Sequence, residues 1–153
     1  MNCKLLIQTA PFDAGKEYRQ LQSTGDQLGA VVDFVGIVRA DQAADGLTQV
    51  TAIELEHYPG MSEHALQNIV RQAAGRWPLL AATVIHRVGR LQAGEGIVYI
   101  GVASSHRKPA LYAVDFIMDY LKNDVPIWKK EIFPSSSRWV QQKAGDITGK
   151  NRW

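Results

Sequence analysis

Cysteine is almost absent from this chain. Cys3 is the single one among 153 residues, which excludes an internal disulfide framework and a multi-cysteine metal site. Beside Lys4-Leu5-Leu6-Ile7 it reads as a buried, inert strand thiol rather than a persulfide carrier. Charge of either sign is also not in excess: 17 basic and 15 acidic side chains leave a formal +2, so bulk charge does not indicate nucleic-acid binding. A pI near 8.7 fits an anionic small molecule, an acidic partner or an ordinary solvated surface. No apolar run approaches a membrane span, and MNCKLLIQTAPF has too little charge and too short an apolar stretch for a signal peptide, so the cytoplasm is the expected compartment. The glycines form neither Gly-x4-Gly-Lys-[Ser/Thr] nor a Gly-x-Gly-x-x-Gly that opens a helix, so neither ATP nor a dinucleotide is indicated and no cofactor is expected. His57 and His64 lack cysteines or carboxylates at ligand spacing, so no metal site is expected; like His86, they read as hydrogen-bonded structural histidines.

What the chain does have is 46% hydrophobic residues, enough for one domain with a core and too few residues for two full ones. Leu5 to Thr9 predicts a strand, Ala14 to Ser23 a short helix with Tyr18 and Leu21 inward, and Gly29 to Val38 a buried strand interrupted at Gly36 by a bulge or a close backbone approach. Val50 to Tyr58 alternates as a half-buried strand with Ile53, Leu55 and His57 on one side. Pro59-Gly60 turns the chain, and Ser62 is placed to cap a helix with the stripe Ala65, Leu66, Ile69, Val70 and Ala73. Leu79 to Leu91 and Ile97 to Ala103 are β-rich runs joined by a turn over Gln92 to Gly96, which suits a hairpin. The tail predicts a mobile serine link at Ser135 to Ser137, a last strand around Arg138-Trp139, and a flexible segment from about residue 141.

Ser104 to Glu131 organises the rest. After a hydrophobic run come two serines, His106, Arg107, Lys108 and Pro109, the pattern of a strand handing over to a helix whose free N–H groups attract anions. Ala110, Leu111, Val114, Ile117, Met118 and Leu121 recur at helical spacing, and Lys122 falls on the border of that stripe, where its stem is buried and its ammonium reaches a cleft. Pro126 stops the helix, and Ile127 to Phe133 is a strand that carries Lys129 and Lys130. At about 1.5 Å per residue, Arg107 and Lys122 lie roughly 22 Å apart along the axis. That is too far for one small phosphate, so either two subsites exist or two copies of the chain complete one pocket, and the second is preferred. Arg39, at a strand end, is placed to fork onto a phosphate or carboxylate.

These residues together resemble the large, catalytic subunit family of molybdopterin synthase. The likeness rests on the His106-Arg107 pair, the Tyr120-Leu121-Lys122 helix end and the Pro-x-Trp-Lys-Lys-Glu segment from Pro126 to Glu131. It rests also on Phe34 to Arg39, Leu55 to Met61 and Val84 to Gly89, in the expected order over nearly the whole chain. The resemblance implies an α/β (α+β) hammerhead-type fold with an additional antiparallel β subdomain, forming one domain over residues 1–153. It implies a sulfurtransferase. Sulfur passes from the thiocarboxylated Gly-Gly C-terminus of a small ubiquitin-like sulfur-carrier subunit to cyclic pyranopterin monophosphate, and two transfers make the molybdopterin dithiolene of the molybdenum cofactor. A homodimer with a small subunit at each end, a heterotetramer, is implied too.

By the same resemblance Lys122 and Lys129 are catalytic, and Arg39, His106 and Arg107 hold the anionic pterin. Lys130 and Arg138 are further substrate-side cations at less diagnostic positions. Three departures stand out. Ile37 occupies a site where many relatives have lysine or threonine, Asn123-Asp124 puts an acid near the lysines, and Gln141 to Asn151 matches poorly. Two other classes stay open from the residues alone: a non-catalytic module that docks a glycine-rich peptide tail, and a small RNA-binding protein.

Overall fold

The computed structural model describes residues 1–41, 46, 49–140 and 144–153, with side chains of the last group from Thr148 on. Its elements run β1 (Asn2–Gln8), α1 (Ala14–Gln22), β2 (Ala30–Ile37), β3 (Ala52–His57), α2 (Met61–Arg76), β4 (Leu79–Arg87), β5 (Gly89–Gln92), β6 (Gly96–Ser104), α3 (Arg107–Asp124), β7 (Ile127–Ile132), β8 (Ser137–Val140) and α4 (Ala144–Asn151). The first sheet has the order β1-β4-β6-β2, with β1 parallel to β4 and the other pairs antiparallel. The second, β5-β3-β7-β8, is wholly antiparallel. This is the α+β class with the additional β subdomain.

Alternation along β4 and β6 separates two cores. Ala82, Val84, Ile100 and Val102 face α2 and α3, whose buried stripes include Leu66, Ile69, Ala113 and Ile117. Ile85, Tyr99 and Ala103 face Leu21 of α1. A third cluster of Val38, Ile53, Leu55, Val88, Leu91 and Phe133 belongs to the second sheet. The chain passes between the sheets at Val88-Gly89, where a φ of 86° suits glycine. The single run expected from Leu79 to Leu91 is therefore two strands in different sheets.

Several local expectations change for physical reasons. β2 is an edge strand, so Phe34 and Ile37 are exposed where a buried run is expected. Gly36 is both a register shift and a close approach, since a Cβ there would lie 2.7 Å from Val98. In α1, Tyr18 is exposed, and the inward partner of Leu21 is Glu17, paired at 2.8 Å with Lys4. Cys3 is exposed on the edge strand β1, and desolvation holds its thiol above the ordinary value, which disfavours the reactive thiolate. Ser62 does not cap α2. Glu63 accepts from the Gly60 N–H at 2.6 Å, while the buried Ser62 hydroxyl accepts from the Tyr58 N–H at 2.9 Å and donates to the Pro126 carbonyl at 2.8 Å. The serine link is a tight hairpin closed by Phe133 N–H to Ser136 O at 2.8 Å.

The flexible tail expected from about 141 is replaced, over 144–153, by α4 docked on α3. Trp153 packs edge-on against Trp77 and Phe116, its Nε1 donates to Asp119 at 2.7 Å, and Arg152 pairs with Asp115 and Asp119. Poor matching to the resembled family hid an aromatic and ionic anchor that only α3 completes. Trp153→Ala is expected to cost about 2 kcal/mol, from lost aromatic packing and the lost indole hydrogen bond to Asp119, which keeps Arg152 as a partner. Urea denaturation would read it, and a change within experimental error would mean that the docking contributes nothing to stability.

Candidate active site

A cavity of about 830 Å³ opens where the second sheet meets the end of α3 and the edge of the first sheet. That size suits a small-molecule ligand. Three cations line it from three separate elements: Arg39 just beyond β2, Lys122 in the last turn of α3, and Lys129 on β7. Pro126 sets the last two. α3 ends at Asp124, Val125 turns to extended backbone, and β7 starts at Ile127, so a helical lysine and a strand lysine meet across one turn.

Period-two alternation in β7 then sorts the lysines. Ile127, Lys129 and Glu131 line the cavity, whereas Lys130 stands 4.6 Å over the Trp139 ring in a cation–π contact and does not line it. Arg138 is also outside, paired at 2.9 Å with Glu131, which is itself buried at the wall. His106 is the N-cap of α3 without a side-chain cap bond; the Ser104 hydroxyl donates to the Pro78 carbonyl at 2.8 Å and accepts weakly from the His106 N–H. His106 and Arg107 are exposed and do not line this cavity within the chain.

The remaining wall is mostly apolar, with one imidazole and two carboxylates. Ile53 and Leu55 of β3, Val98 of β6 and Met118 and Leu121 of α3 make an apolar floor, with His86 of β4 among them. Asp41 pairs with Arg39 at 3.3 Å, and Ile37 contributes an apolar side chain at the mouth. Glu131 was legible in principle, being two residues from Lys129 on one strand face. Asp124, which places an acid near the lysines in sequence, is paired with Lys150 of α4. The polar segment from Ala40 to Thr48 falls largely outside the described residues.

His57 faces Glu63 at 3.3 Å, and no cluster of potential metal ligands occurs among the described residues. Among the described residues no helix is long and apolar enough to cross a membrane. His86 is buried, and desolvation pushes its imidazole down to about 4, opposed by its bond to the Arg87 carbonyl.

The fold and cavity define an α+β protein in which cations from distant elements line an apolar pocket. The family model described as MoaE protein matches residues 7–124, and the chain belongs to that family. It is 47% identical over 150 residues to the molybdopterin synthase catalytic subunit of Escherichia coli (strain K12), covering 98% of this chain and 97% of that one. Among solved structures, the molybdopterin biosynthesis MoaE protein from Burkholderia ambifaria MC40-6 superposes with a TM-score of 0.81 at 42% identity, covering 100% of this chain and 98% of that one. A molybdopterin synthase chain from Staphylococcus aureus gives 0.79 at 32% identity, covering 88% and 95%.

The depressed His86 value has a thermodynamic consequence. The unfolded histidine takes up a proton near 6.5 and the folded one near 4. The stability that the neutral buried ring allows is thus fully present above about 6.5 and lost as pH falls toward about 4, by a few kcal/mol in all. Denaturation midpoints between pH 4.5 and 7.5 should rise with pH, and His86→Gln should flatten that rise.

Proposed function

We propose that this chain is the catalytic subunit of a molybdopterin synthase, a sulfurtransferase of molybdenum cofactor biosynthesis. Its substrate is cyclic pyranopterin monophosphate, and its sulfur donor is the thiocarboxylated C-terminus of a small ubiquitin-like subunit. The observation that carries this reading is the convergence of Arg39, Lys122 and Lys129 on one cavity, in a chain nearly half identical to a synthase catalytic subunit.

The chemistry follows from what the side chains can do. Arg39 forks onto phosphate oxygens. The donor's sulfur forms a bond to a side-chain carbon of the pterin as a C–O bond breaks, and a lysine ammonium protonates the departing oxygen. Water then attacks the acyl carbon of the resulting thioester. The second lysine stabilises the tetrahedral oxyanion, leaving a carboxylate on the partner and a thiolate on the pterin. A repeat of the cycle supplies the second sulfur. Lys122 and Lys129 share these two roles.

His106 and Arg107 belong to the same site when contributed by a second copy of the chain. Their absence from the cavity of their own chain supports that arrangement, as does the roughly 22 Å of helix that separates Arg107 from Lys122. A homodimer with a small subunit on each protomer, acting in the cytoplasm, completes the proposal. Lys130 and Arg138 act at one remove, Arg138 by holding Glu131 at the cavity wall.

Lys122→Ala and Lys129→Ala should each lower dithiolene formation about 10²–10⁴-fold in a reconstituted assay with thiocarboxylated partner, while partner binding is retained. A purely peptide-docking module would show no turnover in the parent protein. Mixing protomers tests the shared site. Co-assembled Lys122→Ala and Arg107→Ala chains should regain about a quarter of the wild-type activity, because half of the dimers are mixed and each of those has one intact site. No recovery in such mixed dimers would place all the groups within one chain.

A further inference from the structure

His86 lies near the end of β4, in register with Ile7 of β1 and Val98 of β6, and is one of the cavity-lining residues. It is 7% exposed, and its Nδ1 lies 2.7 Å from the Arg87 carbonyl oxygen. A carbonyl oxygen only accepts, so Nδ1 carries a proton and donates. The ring is neutral at pH 7, because burial holds its ionisation far below that. A neutral imidazole protonated on Nδ1 has a bare lone pair on Nε2.

That lone pair is not sealed in the core. Among the described residues no hydrogen bond reaches Nε2, yet no buried side-chain nitrogen or oxygen lacks a partner. Nε2 therefore keeps accessible surface, on a residue that lines the cavity. The cavity wall that His86 shares includes Ile53, Leu55, Ile97 and Val98, and His57 lies near enough to act on the ring electrostatically. An uncharged acceptor in such a wall repels a phosphate oxygen and rewards an N–H or O–H donor. The cavity thus has cations for the anionic end of a ligand and one fixed acceptor for an uncharged end.

We propose that His86 is a substrate-binding residue. Its Nε2 accepts a hydrogen bond from an N–H of the heterocyclic part of the substrate, while Arg39 and the two lysines take the phosphate. This deepens the sulfurtransferase reading and rests on it. Orientation is the gain: a ring held at one end by charge and at the other by a single directional bond presents its reacting side chain to the donor sulfur.

Three substitutions separate this role from a structural one. Asparagine reproduces the Nδ1–H donor to Arg87 and removes the Nε2 acceptor. Glutamine can offer an acceptor near the Nε2 position and gives up the Nδ1 geometry. Leucine removes both. In steady-state dithiolene formation with saturating thiocarboxylated partner, His86→Asn and His86→Leu should raise the KM for the pterin about tenfold, the scale of one lost hydrogen bond. Their kcat should change little, and His86→Gln should stay within about threefold of wild type. Inhibition by inorganic phosphate should be unaltered in all three. An unchanged KM in the asparagine variant, or a KM defect in glutamine alone, overturns the inference, as does a parallel loss of phosphate affinity. Should the asparagine variant fail to fold, wild-type protein assayed with ring-N-methylated substrate takes its place: a tenfold higher KM is expected, and no change overturns the proposal. Wild-type protein that yields no dithiolene at all would sink the sulfurtransferase reading itself, a result distinct from these.

Discussion

A guanidinium buried at the seam between the two sheets underlies the whole site. Arg87, at the end of β4, donates through Nε and Nη2 to the Thr9 carbonyl at 3.3 and 3.0 Å and through Nη1 to Glu95 at 3.2 Å, with its side chain 8% exposed. An unpaired charge there would be costly, so the seam is stable only with these acceptors in place. Glu95 passes the constraint on. Its carboxylate also accepts from the Gln92 N–H, which with Arg87 holds it below the usual range, and its carbonyl accepts from the Val38 N–H at 2.9 Å. The Val38 carbonyl accepts from Gly94 at 2.8 Å, so the chain is gripped on both sides one residue before Arg39.

β7 carries the complementary half. Its register against β3 sets Lys129 opposite Leu55 and Lys130 opposite Glu54, and pleating sends the two lysines to opposite faces. Ser62 ties the start of that strand to α2 through the Pro126 carbonyl. α4 closes the far side of α3, where Asp119 collects Arg152 and Trp153 and where Lys150 occupies Asp124. Asp119 and Asp124 are thus engaged on the α4 side of α3.

The cavity is chemically two-sided. Charged groups sit on a loop, a helix end and a strand, and the apolar floor comes from both sheets, with one imidazole lone pair in it. The proposed substrate, a phosphorylated heterocycle, matches both parts. A flat apolar pocket or a uniformly basic groove would satisfy only one, and the near balance of charge over the chain agrees with local rather than global recognition.

By themselves, the residues determined the elements whose signals are local. The α2 and α3 stripes, the stop at Pro126, the alternation of β3 and the glycine irregularity at Gly36 all follow from short-range periodicity and backbone sterics. The motif set carried the family and the candidate cations. Only tertiary structure decided which cations meet. Nothing in the spacing of Arg39, Lys122 and Lys129 separates them from Lys130 and Arg138; strand facing and sheet register do. Burial was also beyond a local pattern. Phe34 is exposed because β2 takes an edge, Glu17 is buried because Lys4 reaches it from β1, and the tail folds because Asp119 of α3 and Trp77 just after α2 receive it. His86 shows the limit most plainly: an apolar strand context correctly implies a buried ring, but whether its second nitrogen meets the core or a cavity depends on two sheets that the chain joins far from that residue.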